Sequence, residues 1–211
     1  DKDLTGTTLA GVDLSGKDLT GTILIGADLS NTILTGVNLS GKDLTGAVFT
    51  GVNTAQRHWN LSDKDLTGTI LAGVNLSGLD LTGTILTGAD LTDANLAGVD
   101  LSGKDLTGTI LTGADLSNSN LSNAILINAN LENVTLENAK ILDVDLDSAN
   151  LTSANLRNAI LVDANLTNAI LTGADLTNAI LTGAILTDAN LENAVLTNAI
   201  LNCVGHSICI S

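Results

Sequence analysis

Aromatic residues, proline and methionine are nearly missing from this chain of 211 residues. It contains one Phe, one Trp, no Tyr, no Met and no Pro. An ordinary globular core uses more aromatic side chains than this, so the 44% of residues that are apolar must pack mostly through Leu, Ile, Val and Ala. Such low complexity indicates an internal repeat.

Basic residues and long apolar runs are also scarce. Eight Lys and Arg stand against 23 Asp and Glu, and the net charge of −15 repels nucleic acid and anionic membranes. The few basic residues form no run, and almost no aromatic rings are available to stack on bases, so we expect no nucleic-acid binding. No apolar stretch approaches the roughly 18 residues of a transmembrane helix, so we expect a soluble protein without a membrane span.

Leucine recurs at every fifth position. The series runs from Leu4 to Leu44, continues with Phe49, and runs again from Leu61 to Leu201 with Ile141 as the only substitute. A period of five fits neither the 3.6-residue helix nor the two-residue alternation of a strand, so the chain must turn regularly.

Within each pentapeptide we call this Leu the central residue. The residue two before it holds the inner position, the residue one before it the outer position, and the two residues after it the first and second turn positions. Inner residues are small or aliphatic, outer residues are Asp, Asn or Ile, and first turn residues are mostly Thr or Ser. Of the 21 glycines, 20 occupy the second turn position, where a type II turn needs a positive φ. Each pentapeptide is therefore predicted to be a short extended segment followed by a turn.

The stretches ADLTG, ANLTN, VNLSG and ADLSN resemble the pentapeptide-repeat family, whose consensus is A(D/N)LXX, and look most like its cyanobacterial members. The resemblance covers residues 1 to about 203. It implies an all-β fold, a right-handed quadrilateral β-helix in which four pentapeptides form one square coil and the inner and central side chains fill the core. We therefore predict about ten 20-residue coils over residues 1–202 and an irregular C-terminal cap over 203–211.

The five-residue rhythm breaks once, in GVNTAQRHWNLS at residues 51–62, where Arg57 and His58 are two extra residues and Thr54 replaces a central Leu. One interpretation is a bulged corner, with Trp59 turned inward to cover a thinner core. The other is a protruding knob that binds a partner through Arg57 and His58, because loops on a rigid scaffold often carry binding residues. We favour the bulged corner.

Lysine occupies five inner positions, where small residues are the rule. A buried unpaired ammonium is very costly, so we expect these side chains to reach solvent at a corner and to pair with nearby Asp. With four pentapeptides per coil, four of the five would share one face. The five are Lys17 and the aligned Lys2, Lys42, Lys64 and Lys104.

Isoleucine replaces Asp or Asn at several outer positions. Ile160, Ile180 and Ile200 are 20 residues apart, so four pentapeptides per coil would stack them on one face. Scattered exposed Ile carries little meaning, but an aligned stripe indicates a surface for partner docking or self-association.

Catalytic and metal-binding motifs are weak in this sequence. DVDLD at residues 143–147 opens like a calcium loop, but it lacks the Gly at the sixth place, and Ala154 stands where the bidentate Glu belongs. His58 and His206 would lie near opposite ends of the rod. We therefore expect no enzyme, no cofactor and no metal site. Cys203 and Cys209 are six residues apart, which allows either a local disulfide or two free thiols.

The resemblance implies a non-enzymatic scaffold that binds protein partners of unknown identity. One alternative is a DNA mimic that binds gyrase, a type II topoisomerase, although the aromatic-poor repeats and a tail without helical periodicity speak against it. Another is a rod that stacks end to end, since no cap precedes the first repeat. The chain begins at Asp1 without an initiator Met, as a processed or excised piece would, so bacterial cytoplasm, periplasm and thylakoid lumen all stay open.

Overall fold

The computed structural model describes residues 2–34, 37, 39, 42–52 and 61–209, and this part of the chain contains no helix. In these ranges, each pentapeptide forms one side of a four-sided parallel β-helix. Single β-bridges join outer residues that are 20 positions apart, such as Asn130 with Asn150 and Ile180 with Ile200, so four pentapeptides complete one coil. The quadrilateral β-helix predicted from the repeat is therefore confirmed.

The corners are β-turns whose second turn residue has a positive φ. In the first pentapeptide, the Thr7 N–H donates to the Leu4 carbonyl at 3.0 Å, and Gly6 has a φ of 63°. Asn158 and Ser153 adopt the same conformation, each with a φ of 57°. The predicted turn position is correct, and Asn, Asp or Ser replaces Gly there at many corners because a short polar side chain tolerates this backbone.

The core consists of stacked aliphatic columns. Central residues such as Leu66 and Leu171 are fully buried, and Phe49 takes a central place and is also fully buried. Burying one Leu contributes about 1.5–3 kcal/mol before the loss of conformational entropy is counted. The coils therefore hold one another in place as the units of a solenoid do.

The inner positions divide the rod into two unlike parts. From residue 124 to residue 199 they are 14 Ala and two Val, whereas six of the twelve inner residues from 64 to 119 are polar. The six are Lys64, Thr69, Thr84, Lys104, Thr109 and Ser119.

The ladder changes register once. Asp28 pairs with Val48, 20 residues on, but Val48 pairs with Ile70, 22 residues on. Two extra residues lie between these pairs, consistent with the insertion read at 57–58. Residues 53–60 lie outside the described part of the chain, so the inferences about Thr54, Arg57, His58 and Trp59 stay predictions.

Residues 203–209 leave the regular path at the C-terminal end. Cys203 and Cys209 form a disulfide with their Cα atoms 4.9 Å apart, and Val204 still bridges to Ile185. His206 Nδ1 accepts a hydrogen bond from the Ile208 N–H at 3.3 Å. Among the described residues, no helix could span a membrane.

Candidate protein-docking surface

Three isoleucines form a continuous stripe on one face of the rod. Ile160 bridges to Ile180, and Ile180 bridges to Ile200, so successive side chains are about 4.8 Å apart along the axis. Ile200 is 46% exposed, and the other two are partly exposed. We call these three residues the isoleucine stripe.

Two further aliphatic side chains widen the stripe. Leu142 and Val162 occupy the first turn position on the same face, where Thr or Ser is usual, and both are partly exposed. Two residues of one extended segment that point the same way are about 6.6 Å apart, so they form a second, shorter row. We call the stripe with Leu142 and Val162 the apolar face. Sequence reasoning missed this second row, although the replacement of Thr or Ser by an aliphatic residue was a readable signal.

The two long edges of the apolar face differ in chemistry. One edge is an asparagine ladder in which the Asn178 amide donates to Asn158 Oδ1 at 3.1 Å and the Asn198 amide donates to Asn178 Oδ1 at 3.3 Å. The opposite edge carries Asp143 and Asp163, both exposed. One edge is therefore neutral with its amides engaged, and the other is anionic beside Leu142 and Val162 and neutral at Gly183, beside Ile180.

Elsewhere, aliphatic outer residues are interrupted by polar ones. Ile125 is 39% exposed, but it is bridged to Asp105 on one side and Asp145 on the other. In the described ranges, no other column of outer positions stacks three aliphatic residues in succession. The isoleucine stripe is thus distinguished by its continuity, and Lys140, bridged to Ile160, ends it.

An Asp or Asn at the outer position has a local structural role. Asp100 Oδ1 accepts the Ser102 N–H at 2.9 Å, and Asp105 Oδ1 accepts the Thr107 N–H at 2.9 Å. The Ser102 hydroxyl, together with this N–H, holds the pKa of Asp100 below its usual value. Isoleucine provides no such acceptor, so each stripe residue forgoes a turn bond worth about 0.5–1.5 kcal/mol.

The inner lysines interrupt the ladder. Lys42 Nζ donates to the Thr22 carbonyl and Lys104 Nζ to the Thr84 carbonyl, each at 3.1 Å and one coil back. Ile85 and Asp105 both lie in the described part of the chain, and no β-bridge joins them. The predicted pairing with Asp is wrong about the direct partner, because a backbone carbonyl takes the hydrogen bond.

Aspartate acts on Lys104 at longer range. Burial lowers the pKa of the Lys104 ammonium, and the charges of Asp100 and Asp80 oppose that shift. These groups line a shallow polar hollow of about 250 Å³. Lys64 is only 6% exposed, so the prediction that the inner lysines reach solvent is wrong for this residue. Among the described side chains, the one salt bridge is Arg157 to Asp175, at 2.8 Å.

The remaining predicted features do not converge on a chemical site. The three Asp of DVDLD are spread over a corner and the next side, and in the described part of the chain no three His, Cys, Asp or Glu come together as metal ligands. At the first coil, Leu4, Leu9 and Leu14 are partly buried around an open apolar hollow of about 400 Å³. End-to-end stacking through such a surface stays a prediction.

Eight copies of the family model for pentapeptide repeats match the chain, at residues 3–41, 34–53, 57–88, 89–126, 114–152, 149–188, 159–198 and 181–204. The chain belongs to the pentapeptide repeat family. The family proteins are generally not enzymes. No functionally curated protein matches the sequence.

Solved structures of pentapeptide repeat proteins are similar to this chain. HetL, involved in heterocyst differentiation regulation in the cyanobacterium Nostoc sp. strain PCC 7120, is 30% identical over all of this chain and 92% of HetL, with a TM-score of 0.70. QnrB1, a plasmid-mediated fluoroquinolone resistance protein, is 18% identical over 89% of this chain and 90% of QnrB1, with a TM-score of 0.42. A protein of the Arabidopsis thaliana thylakoid lumen is 33% identical over 53% of this chain and 72% of its own, with a TM-score of 0.30.

Proposed function

We propose that this pentapeptide repeat protein is a non-enzymatic scaffold that binds another protein through its apolar face. The observation that carries this proposal is the unbroken stack of Ile160, Ile180 and Ile200 at outer positions. Each of them replaces a residue that would cap its own turn and keep the surface polar. Aligned exposed aliphatic groups that forgo a local bond are typical of a binding surface.

The backbone beneath the stripe supports rigid presentation. The Ile180 N–H donates to the Ala159 carbonyl at 3.0 Å, and the Leu181 N–H donates to the Ile200 carbonyl at 2.8 Å. Every stripe residue is therefore fixed to a neighbouring coil through the backbone. A surface organised before binding loses little conformational entropy when a partner docks.

Charge favours a different protein over a second copy as the partner. Two copies would each bring a net charge of −15, and their Asp143 and Asp163 edges would lie near the same contact.

The likeness to HetL over the whole chain supports a regulatory scaffold in a cyanobacterial-type cell. The terminal disulfide supports an oxidising compartment, the periplasm or thylakoid lumen, because such bonds are rare in the cytosol.

Site-specific photo-crosslinking in cells that express the protein tests this function. A crosslinking residue at position 182, beside Ile180, should yield one discrete adduct with another protein, and Ile180→Asn should abolish it. The matched position 112, a Thr beside Ile110, whose bridged neighbours are Asp90 and Asn130, should yield none. Equal adducts at both positions, or none at 182, would overturn the proposal. An adduct of twice the chain mass would indicate self-association instead.

The gyrase alternative predicts inhibition of DNA supercoiling that Ile180→Asn leaves unchanged; we expect no inhibition.

A further inference from the structure

We propose that the partner segment on the apolar face is an amphipathic α-helix that lies along the rod axis and carries Lys or Arg along one edge. This inference rests on the proposed docking function and names the partner's chemistry.

The axial spacing of the stripe fits a helix and does not fit a strand. Neighbouring coils are about 4.8 Å apart, so Ile160 and Ile200 are separated by about 9.6 Å. Helix residues that are three or four apart rise about 4.5–6 Å, and residues seven apart rise about 10.5 Å. Same-face residues of a strand are about 6.6 Å apart and reach about 13 Å over three side chains. A helix therefore stays in step with all three isoleucines, whereas a strand loses register within two coils.

The second row gives the helix a place to lie. Val162 and Ile160 belong to one extended segment and are about 6.6 Å apart across the face, and Leu142 continues Val162's row one coil back. The two aliphatic rows are staggered: they lie side by side at Ile160 and Val162, and together they extend over four coils from Leu142 to Ile200, about 14 Å along the axis. Helices pack through inclined rows of side chains, so this staggered apolar band, between two and three helical turns long, accepts the apolar ridge of a helix.

The edges select which flank of the helix is charged. Asp143 and Asp163 are exposed beside the Leu142 and Val162 row, and they lie one coil apart, close to one turn of a helix. On the other side, the asparagine ladder uses amide groups to bond its own neighbours. A helix with Lys or Arg on one flank and neutral polar residues on the other matches this asymmetry. Opposite charge also speeds its encounter with a chain of net charge −15.

Synthetic peptides test the helix directly. The probe has about 18 residues, or five turns, with Leu at helical spacing and Lys on one flank. One control peptide has the same composition with Leu at every second residue, and another has Glu in place of Lys. Binding is measured by fluorescence anisotropy and helicity by circular dichroism. We expect the first peptide alone to bind and to gain helicity.

Two uncharged substitutions separate apolar docking from general attraction to an acidic protein. Ile180→Asn should weaken binding of the helical Lys peptide by about tenfold or more, whereas the matched Ile110→Asn, beside Thr112 as Ile180 is beside Thr182, should change it by less than about twofold. Asp143→Asn with Asp163→Asn should weaken binding at low salt and reduce its salt dependence. Thermal melts should confirm that both Ile variants are folded, since Asn occupies many outer positions.

Each outcome bears on the proposal. Equal binding to wild type and Ile180→Asn would overturn it, because attraction would then be electrostatic only. Tighter binding of the alternating peptide would overturn the helix and indicate a strand. If a crosslinked partner forms at position 182 while the helical peptide fails to bind, the helix inference fails and the docking function stands. If both experiments fail, the docking function fails with it.

Discussion

The Ser119 hydroxyl is fully buried at an inner position, and in the described structure it has no hydrogen-bond partner. An unsatisfied buried hydroxyl costs about 1–3 kcal/mol. We expect Ser119→Ala to raise the free energy of unfolding by about 1 kcal/mol, measured by urea denaturation. Thr109→Ala is the control, because the Thr109 hydroxyl donates to the Leu106 carbonyl at 2.8 Å, and it should lower stability. A less stable Ser119→Ala protein would contradict this account.

Gly83 and Gly88 differ in what a side chain would meet. Both have a positive φ, 67° and 65°, which costs alanine about 1–2 kcal/mol. At Gly83 the carboxylate of Asp63, one coil back, occupies the space of a Cβ, while the space at Gly88 is open. Gly83→Ala should therefore destabilise the rod by about 1 kcal/mol more than Gly88→Ala. Equal melting temperatures for the two variants would show that the Asp63 side chain simply moves aside.

At the scale of one pentapeptide, the outer Asp and its turn form the repeating unit. The Thr107 hydroxyl and N–H lower the pKa of Asp105 below 3.8, and Asp100 behaves alike with Ser102. A depressed folded-state pKa stabilises the fold above pH 3.8, and that stability is lost as pH falls through the folded-state value.

Asn keeps the turn bond without titrating, as the Ser77 N–H to Asn75 Oδ1 bond at 3.0 Å illustrates. The double variant Asp100→Asn, Asp105→Asn should therefore lose less stability than the wild type when pH falls from about 4 to about 2. Urea unfolding at several pH values measures the two slopes. Identical slopes would mean that these two turns gain nothing from the charged form of Asp.

How far the sequence predicts the pentapeptide depends on the range of each interaction. The central Leu, the positive-φ residue and the alignment of residues 20 apart follow from the period, because they recur within or between identical units. The contact between Asp63 and Gly83 and the bond from Lys104 to the Thr84 carbonyl do not, since each depends on which two unlike residues are stacked. Val162 and Leu142 were missed for the same reason: the meaning of Val162 comes from Ile160 in the same segment, and that of Leu142 from Val162 one coil on.

At the scale of the whole molecule, the rod has an aliphatic C-terminal part and a more polar part before it. Lys104 illustrates how a polar inner residue weakens the ladder: its partly buried ammonium bonds the Thr84 carbonyl, at a position where a backbone N–H bonds in most other coils. We expect amide hydrogen exchange, measured by mass spectrometry, to be about tenfold slower over residues 124–189 than over 64–119. Lys104→Ala should slow exchange around residues 84–105 by allowing the Asp105 N–H to reach that carbonyl. Uniform exchange along the rod would contradict the division.

The pairing of Val48 with Ile70 has a consequence for how such a rod changes in length. The surplus of two residues there leaves the ladder before it and after it in the same alignment. Residues added between two pentapeptides at that point therefore leave the alignment of the stacked columns on either side unchanged. We therefore expect longer inserts, affinity tags or whole folded modules grafted between residues 52 and 61 to leave the rod and its apolar face intact.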